Sequence, residues 1–249
     1  MNKYPPVNEM NDGQRIEIVQ DIFATVTEKY DFLNRFLSLR RDVYWRKKTI
    51  EQMQFKKNKS LLDVATGTAD VALECAKYHK DVKVQGVDFV QRMIDFGRKK
   101  AQAMQLQDQV KLDWGDATQL EFTDSSFDVC SMAFGIRNIP DKIKALKEMQ
   151  RVIVPGGQVV ILELTTPEPG FWRRLYSFYL NGLLPKLARL FSKNPSAYEY
   201  LADSIMNFPT RRELVALLES IGLKNCQAIP LTLGVCTIYI GNKEDGGSN

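Results

Sequence analysis

The sequence predicts an α/β fold: an open, doubly wound sheet, mostly parallel with a C-terminal antiparallel strand, preceded by N-terminal helices and interrupted by a helical lid insertion. Three observations carry that prediction. From residue 60 onward, short apolar runs alternate with stretches of helical periodicity, the pattern that covers both faces of a parallel sheet with helices. The last two apolar runs follow one another too closely for a helical crossover, so they pair antiparallel. A chain of 249 residues, 44% of them apolar, can bury one good core and is short for two equal domains.

The elements follow in order. Residues 14 to 54 read as helices: IEIVQDIFATVTEKYDFLNRFLS spaces its apolar residues at helical intervals, and DVYWRKKTIEQMQF follows with Asp42 as N-cap. SLLDVA, VKVQGVD, VKLDWGDA, FDVCSMAF and QVVILELT are strands, with helices near 70–79, 90–106 and 141–151 between them. PGG at 155–157 is expected to end the last of those helices before the fifth strand. An aromatic and basic insertion comes next, then a polar link, the helix TRRELVALLESIG, and strands near 224–230 and 235–241. The expected organisation is a helical cap over 1–55, an α/β domain over 56–242 with its lid at about 168–208, and a disordered tail over 243–249.

Composition narrows the function. A net charge of +4 is mild and demands no nucleic acid, although bunched Lys and Arg predict local basic faces. Cys75, Cys130, Cys226 and Cys236 lie far apart, with no spacing for a metal site or a redox dithiol, and read as reduced thiols. No signal-peptide core and no apolar span of about 18 residues is present, which predicts a cytoplasmic protein. His79, the only histidine, has no carboxylate or Cys partner near it in sequence and is given no catalytic role.

Three successive strand ends carry ligand chemistry. The first runs from Asp63 into Thr66, Gly67, Thr68 and Ala69, a turn of small residues whose backbone N–H groups let a ligand approach closely. It lacks the spaced glycines of a dinucleotide fingerprint and the Lys of a phosphate-binding loop, which disfavours a dehydrogenase. The second ends in Asp88, about 25 residues after Asp63, where a carboxylate takes both ribose hydroxyls. At the third, Asp116 accepts from an exocyclic adenine amine and the small Ala117 leaves room for the ring. Together they describe an adenosine site without a pyrophosphate clamp, which suits S-adenosylmethionine better than NAD. Asp63 would orient the amino group of the methionine part directly or through water; its bland alternative is a carboxylate that only caps the turn.

At this point the chain resembles the UbiE/MenG family of quinone-ring C-methyltransferases, over about residues 20 to 242. FATVTEKYDFLNRFLS with Trp45, LLDVATGTAD, GVDF, GDA, FGIRNIPDKIKALKEMQRVIVPGG, LEL, SAYEYLADSI and LTLGVCTIYIGNK carry the resemblance, and FGIRN, YDFLN and YEYL are its most particular pieces. It implies a class I, Rossmann-like methyltransferase fold, S-adenosylmethionine as cofactor and a polyprenylated hydroquinone as substrate. The family positions for the cofactor fall on Thr68, Asp88, Asp116 and Ala117. Two departures stand out: Thr66 and Ala69 occupy places where the family usually has Gly, and Ala133 one where Ser is common, removing a hydroxyl contact to the cofactor.

Methyl transfer to a ring carbon needs a hydroquinone that has lost a hydroxyl proton. Arg137 cannot act as an ordinary base, but a guanidinium beside the hydroxyl lowers its pKa and stabilises the oxyanion. Arg137 and Asn138 are therefore the candidate catalytic pair, holding a water that takes the proton. The alternative is that Arg137 pairs with Asp31 or Asp141 and pins the loop. Tyr30, Asp31 and Tyr200 are the candidate substrate contacts.

The insertion from Phe171 to Lys193 interleaves aromatic residues with Arg173, Arg174, Lys186, Arg189 and Lys193, a mixture suited to a bilayer surface from which a prenylated substrate is taken. Packing of its apolar stripe into the core or against a second copy, as a homodimer, fits equally well. Demethylmenaquinol is the expected substrate, with a ubiquinone precursor (2-polyprenyl-6-methoxy-1,4-benzoquinol), a methyltransferase acting on another small molecule, and a non-catalytic membrane module as alternatives.

Overall fold

The structure is a computed structural model that describes residues 4–184, 194 and 196–245, apart from the side chains of residues 26 and 28–30. A capping box between Asn11 and Gln14 starts α1 (Asp12–Leu37), satisfying two of the backbone groups that a helix start leaves open. Leu39 and Arg40 then both take left-handed backbone and turn the chain into α2 (Arg41–Ile50). Asp42 is not the N-cap that the sequence suggests. It lies inside α2, accepts from the Ser38 hydroxyl at 2.8 Å and pairs with Arg46 at 2.7 Å, so its carboxylate is drawn to a buried cation.

The sheet follows with β1 (Ser60–Val64), α3 (Asp70–Tyr78), β2 (Lys83–Asp88), α4 (Gln91–Ala103), β3 (Val110–Trp114), β4 (Phe127–Ala133), α5 (Lys142–Val152) and β5 (Ile153–Leu164). The insertion supplies α6 (Phe171–Phe178), a π-helical turn Tyr179–Leu183 and α7 (Ser196–Met206); α8 (Arg211–Ser220), β6 (Lys224–Leu231) and β7 (Cys236–Asn242) close the chain. The seven strands run in the order β3-β2-β1-β4-β5-β7-β6, all parallel except β7, which pairs antiparallel with both β5 and β6. The predicted fold class is therefore the observed one.

PGG at 155–157 does not separate α5 from β5, because β5 already pairs at Ile153 with Phe127. The register then jumps from Phe127↔Ile153 to Val129↔Gln158, so the three residues bulge out within the strand. Gly156 takes a left-handed φ of 74°, and a side chain on Gly157 would stand 2.7 Å from the Asp128 carbonyl. Lys243, expected in a disordered tail, exchanges backbone hydrogen bonds with Gly156 and Gly157 and extends the sheet edge; residues 246–249 lie outside the described residues.

Buried apolar side chains fall into three groups. One face of the sheet packs against α2, α3 and α4, with Trp45 and Ile50 in the same cluster as Leu61 and Val160. The other face packs against α5 and α8 through Leu146, Met149, Leu214 and Leu218. The third group joins Val19, Ile22 and Leu33 of α1 to Leu180, Tyr200 and Ile205 of the insertion. The helices of residues 1–55 thus divide: α2 belongs to the sheet's core, while α1 and the inserted helices form one cap.

Candidate active site

The cap faces the carboxyl ends of β1, β2, β3 and β4, where an open α/β sheet holds its ligand. After β1 the chain takes left-handed backbone at Ala65, Gly67 and Ala69, with φ of 52°, 58° and 66°. That alternation coils residues 65–69 into a tight turn, and space is open where a side chain on Gly67 would stand. Asp63 supports the turn from below. Its oxygens accept from Thr66 and Ser131, each at 2.6 Å, and its carboxyl is 1% exposed. Burial pushes it up to about 6. Asp63 therefore makes no wall of the cleft, and of its two expected roles the one on view is support of the turn.

Asp88 lies at the rim, with its oxygens accepting from the Gly67 N–H at 2.8 Å and the Val90 N–H at 2.9 Å. Burial also lifts this carboxyl to about 6, against the backbone N–H groups that favour its charge. Asp116 accepts the backbone N–H and the hydroxyl of Thr118 on one oxygen, at 2.8 and 2.9 Å. Gly67, Asp88, Asp116, Ala117 and Ala133 all line one cleft, closed above by Ile16, Val19 and Phe23 of α1 and at the side by Phe89, Val90 and Ile139. Two carboxylates, an open backbone turn and apolar walls fit an adenosine group with its two ribose hydroxyls.

Thr68 and Asp31 are elsewhere. The Thr68 hydroxyl donates to Asp31 at 2.6 Å, Lys100 donates to Asp31 at 2.7 Å and also to Asp70, and Asp70 meets Arg46 at 3.1 Å. Burial would raise the Asp70 carboxyl, but Arg46 and Lys100 outweigh it and hold it below its ordinary value. Neither Thr68 nor Asp31 lines the cleft or the neighbouring cavity, because a partly buried chain of alternating charges draws their side chains behind the turn. Thr68, expected at the cofactor, and Asp31, expected at the substrate, are thus held together behind the turn. The side chain of Tyr30 lies outside the described residues.

Beyond β4, Gly135 is required by contact: a side chain there would stand 2.8 Å from the Ala65 methyl. A short turn of 3-10 helix, Ile136–Asn138, presents the catalytic candidates. Arg137 Nη1 donates to Glu163 at 2.6 Å and to the Phe134 carbonyl at 2.7 Å, while the Arg137 N–H donates to the other Glu163 oxygen at 3.2 Å. The partner is thus neither Asp31 nor Asp141, whose carboxylate caps α5 by accepting the Lys144 N–H at 2.9 Å. Asn138 Oδ1 accepts from the Tyr200 hydroxyl at 3.3 Å. Arg137, Asn138 and Tyr200 line a second, smaller cavity with Leu33 and Asn34 of α1. Phe23 and Asn138 line both.

Three residues around this turn lie outside the candidate site that the sequence marks. Glu163 sits in an apolar strand, and a buried carboxylate in such a run is itself a signal that a cation must meet it. Arg15, on α1, donates to the Arg137 carbonyl, and nothing in its helical context marks it. Lys142 donates to the Ile139 carbonyl at 2.8 Å; burial, then the charge of Arg15, lowers its ammonium to about 8.

The chain matches the model of the ubiE/COQ5 methyltransferase family over residues 8–243. It is 42% identical over 228 residues to the ubiquinone/menaquinone biosynthesis C-methyltransferase UbiE of Geotalea daltonii, covering 91% of this chain and 97% of that one. It is 38% identical to the demethylmenaquinone methyltransferase of Bacillus mycoides, covering 92% and 97%. Among solved structures, SAM-dependent methyltransferases from Thermotoga maritima (TM-score 0.60, 20% identity, 90% of this chain and 99% of that one) and Aquifex aeolicus (0.58, 17%, 79% and 88%) share its fold. With a sheet of this order and a cleft at its carboxyl edge, the chain belongs to the ubiE/COQ5 methyltransferase family and is an S-adenosylmethionine-dependent C-methyltransferase.

Proposed function

We propose that the protein methylates a ring carbon of a prenylated hydroquinone, converting demethylmenaquinol to menaquinol. The observation that carries this reading is the shared wall: Asn138 and Phe23 border both the adenosine-shaped cleft and the smaller cavity, so a methyl donor in one and a ring in the other meet at the Arg137–Asn138 turn. S-adenosylmethionine supplies an electrophilic methyl group; Asp88 and Asp116 would hold its ribose and adenine.

The chain's part in the chemistry is to favour the ionised quinol. Glu163 offsets the charge of Arg137, so Arg137 alone is a weaker oxyanion donor than its sequence context suggests. Arg15, which donates to the Arg137 carbonyl, and Lys142, which feels the charges of both Arg15 and Glu163, add two cations beside the same turn. That excess positive charge in a partly dry site lowers the hydroxyl's pKa and steadies the oxyanion from which the ring carbon attacks.

No helix among the described residues is long and apolar enough to cross a membrane. α6 instead exposes Phe171, Trp172, Leu175 and Phe178 beside Arg173 and Arg174, which supports peripheral contact with a bilayer on the cytoplasmic side. Lys186, Arg189 and Lys193, expected to add to that face, lie outside the described residues.

The test is methyl transfer in vitro from labelled S-adenosylmethionine to demethylmenaquinol and to 2-polyprenyl-6-methoxy-1,4-benzoquinol, with product masses read directly. Label in the naphthoquinol supports the reading; label in the benzoquinol alone moves the protein to the ubiquinone branch that its relatives' names also carry. Label in neither overturns it.

A further inference from the structure

A second basic and apolar surface lies where α1 ends and α2 begins. Between residues 32 and 47, the exposed side chains are Phe32, Phe36, Leu39, Val43 and Tyr44, which are aromatic or aliphatic, and Arg40, Arg41 and Lys47, which are basic. The only acid in that stretch, Asp42, is buried against Arg46. Phe32 is 60% exposed and stacks on Phe36; Leu39 is 84% exposed.

Packing inside the molecule does not account for the exposure of Phe32 and Leu39. Leu39 holds a φ of 52°, a conformation that costs a branched side chain about 1–2 kcal/mol and that Gly adopts freely. A leucine at the tip of a solvent-facing turn thus pays in backbone strain and in exposed apolar area, with no packing return inside the molecule.

We infer that this α1–α2 corner docks on an anionic lipid bilayer and seats the mouth of the smaller cavity against it. The charge pattern selects this occupant. Apolar tips ringed by cations suit the boundary between acyl chains and phosphate headgroups. A second copy of the same corner would bring Arg40, Arg41 and Lys47 against their own like charges. The position fits as well: Leu33 and Asn34, which line the cavity beside Arg137, lie on the same turns of α1 as Phe32 and Phe36. Tyr179 donates to the Leu37 carbonyl at 2.8 Å and ties the inserted helices to this end of α1, so α6 and the corner lie close together. A prenyl chain leaving the bilayer at the corner would enter between α1 and α7, its headgroup reaching the Arg137–Asn138 turn first. This route rests on the quinol reading; the docking itself does not require substrate.

Sedimentation with vesicles of phosphatidylcholine, with and without 30% phosphatidylglycerol as a ~0.3 mole fraction of anionic lipid, tests the docking without quinol or cofactor. Wild type is expected to pellet with the anionic vesicles and to be released by salt. Arg40→Glu/Arg41→Glu/Lys47→Glu should bind on the order of 100-fold more weakly, taking about fivefold for each base lost. Leu39→Gly relieves strain, so it should melt no lower than wild type while binding at least about threefold more weakly, and Phe32→Ser/Leu39→Gly weaker still. All variants should methylate a short-tailed, water-soluble quinol as wild type does. Wild type that stays in the supernatant at low salt, or corner variants that pellet like wild type, overturn the docking, as does a wild-type dimer in gel filtration that the triple variant dissociates. Loss of quinol methylation in wild type, with vesicle binding still tracking the corner variants, would sink the substrate reading and leave the docking standing.

Discussion

Glu163 accepts Arg137 at 2.6 Å, its carboxylate wholly buried at the end of β5 while the guanidinium forms the wall of the smaller cavity. The pair joins two neighbouring strand ends and fixes the turn that follows β4. Removing one partner of a buried pair strands the other charge, so Glu163→Gln should lower stability by about 3 kcal/mol or more, whereas Glu163→Leu combined with Arg137→Met should lose less than the two single changes together. Urea unfolding of wild type, Glu163→Leu, Arg137→Met and the double variant measures the coupling, and Glu163→Gln is unfolded beside them.

The same pair sets what Arg137 does in catalysis. Nη1 alone meets both Glu163 and the Phe134 carbonyl, so Arg137→Lys can keep the charge and that anchor but loses the rest of the planar guanidinium at the wall of the smaller cavity. Its methyl-transfer rate should fall on the order of 100-fold, with S-adenosylmethionine binding nearly unchanged. Single-turnover kinetics beside calorimetric titration separates the two; a variant that turns over normally would return Arg137 to scaffolding.

Asp88 carries a pH dependence. Its carboxyl is raised to about 6 by burial, so as pH falls through 6 it takes up a proton and loses acceptor capacity for the ribose hydroxyls. Cofactor affinity should therefore drop below about pH 6, and Asp88→Asn should bind about 10-fold or more weakly at pH 7.5 with the acid-side drop abolished. Because the folded pKa lies above the ordinary 3.8, the native state holds the proton more tightly. The stability contribution of Asp88 thus declines between about pH 4 and 6 and is flat above that window. Titration calorimetry from pH 5 to 8 checks the binding arm.

Thr68→Val is the test of the turn. It removes a 2.6 Å hydrogen bond to Asp31 and should cost about 1–2 kcal/mol of stability while cofactor affinity stays within about twofold. A large loss of affinity with an unchanged melting temperature would put Thr68 back at the ligand.

Lys142 works in the opposite sense to Asp88. Its ammonium is lowered to about 8 from 10.5, so between those values the unfolded chain binds more protons and stability gains as pH rises. Replacing it with Met should raise stability at pH 7.5 and shrink that advantage toward pH 10, measured as the difference in urea midpoints.

The sequence by itself determined the order of elements, the parallel sheet with its final antiparallel strand, and the strand ends that carry Gly67, Asp88, Asp116 and Ala133. Those are local matters: strand and helix periods are written along the chain, and a strand's end in sequence is its end in space. Asp63 is a candidate by its place at a strand end, Thr68 by family resemblance and Asp31 by its place in YDFLN, and none of these says which way a side chain turns. Ser131, Thr66 and Lys100, up to 69 residues distant, decided that by offering buried partners to carboxylates that could not be left dry. Glu163 and Arg15 came to Arg137 only through tertiary structure, since β5 pairs beside β4 and α1 folds back over the sheet's edge from more than 120 residues away. Buried charges must find partners across the fold, and the fold, not the spacing of the residues, chooses which.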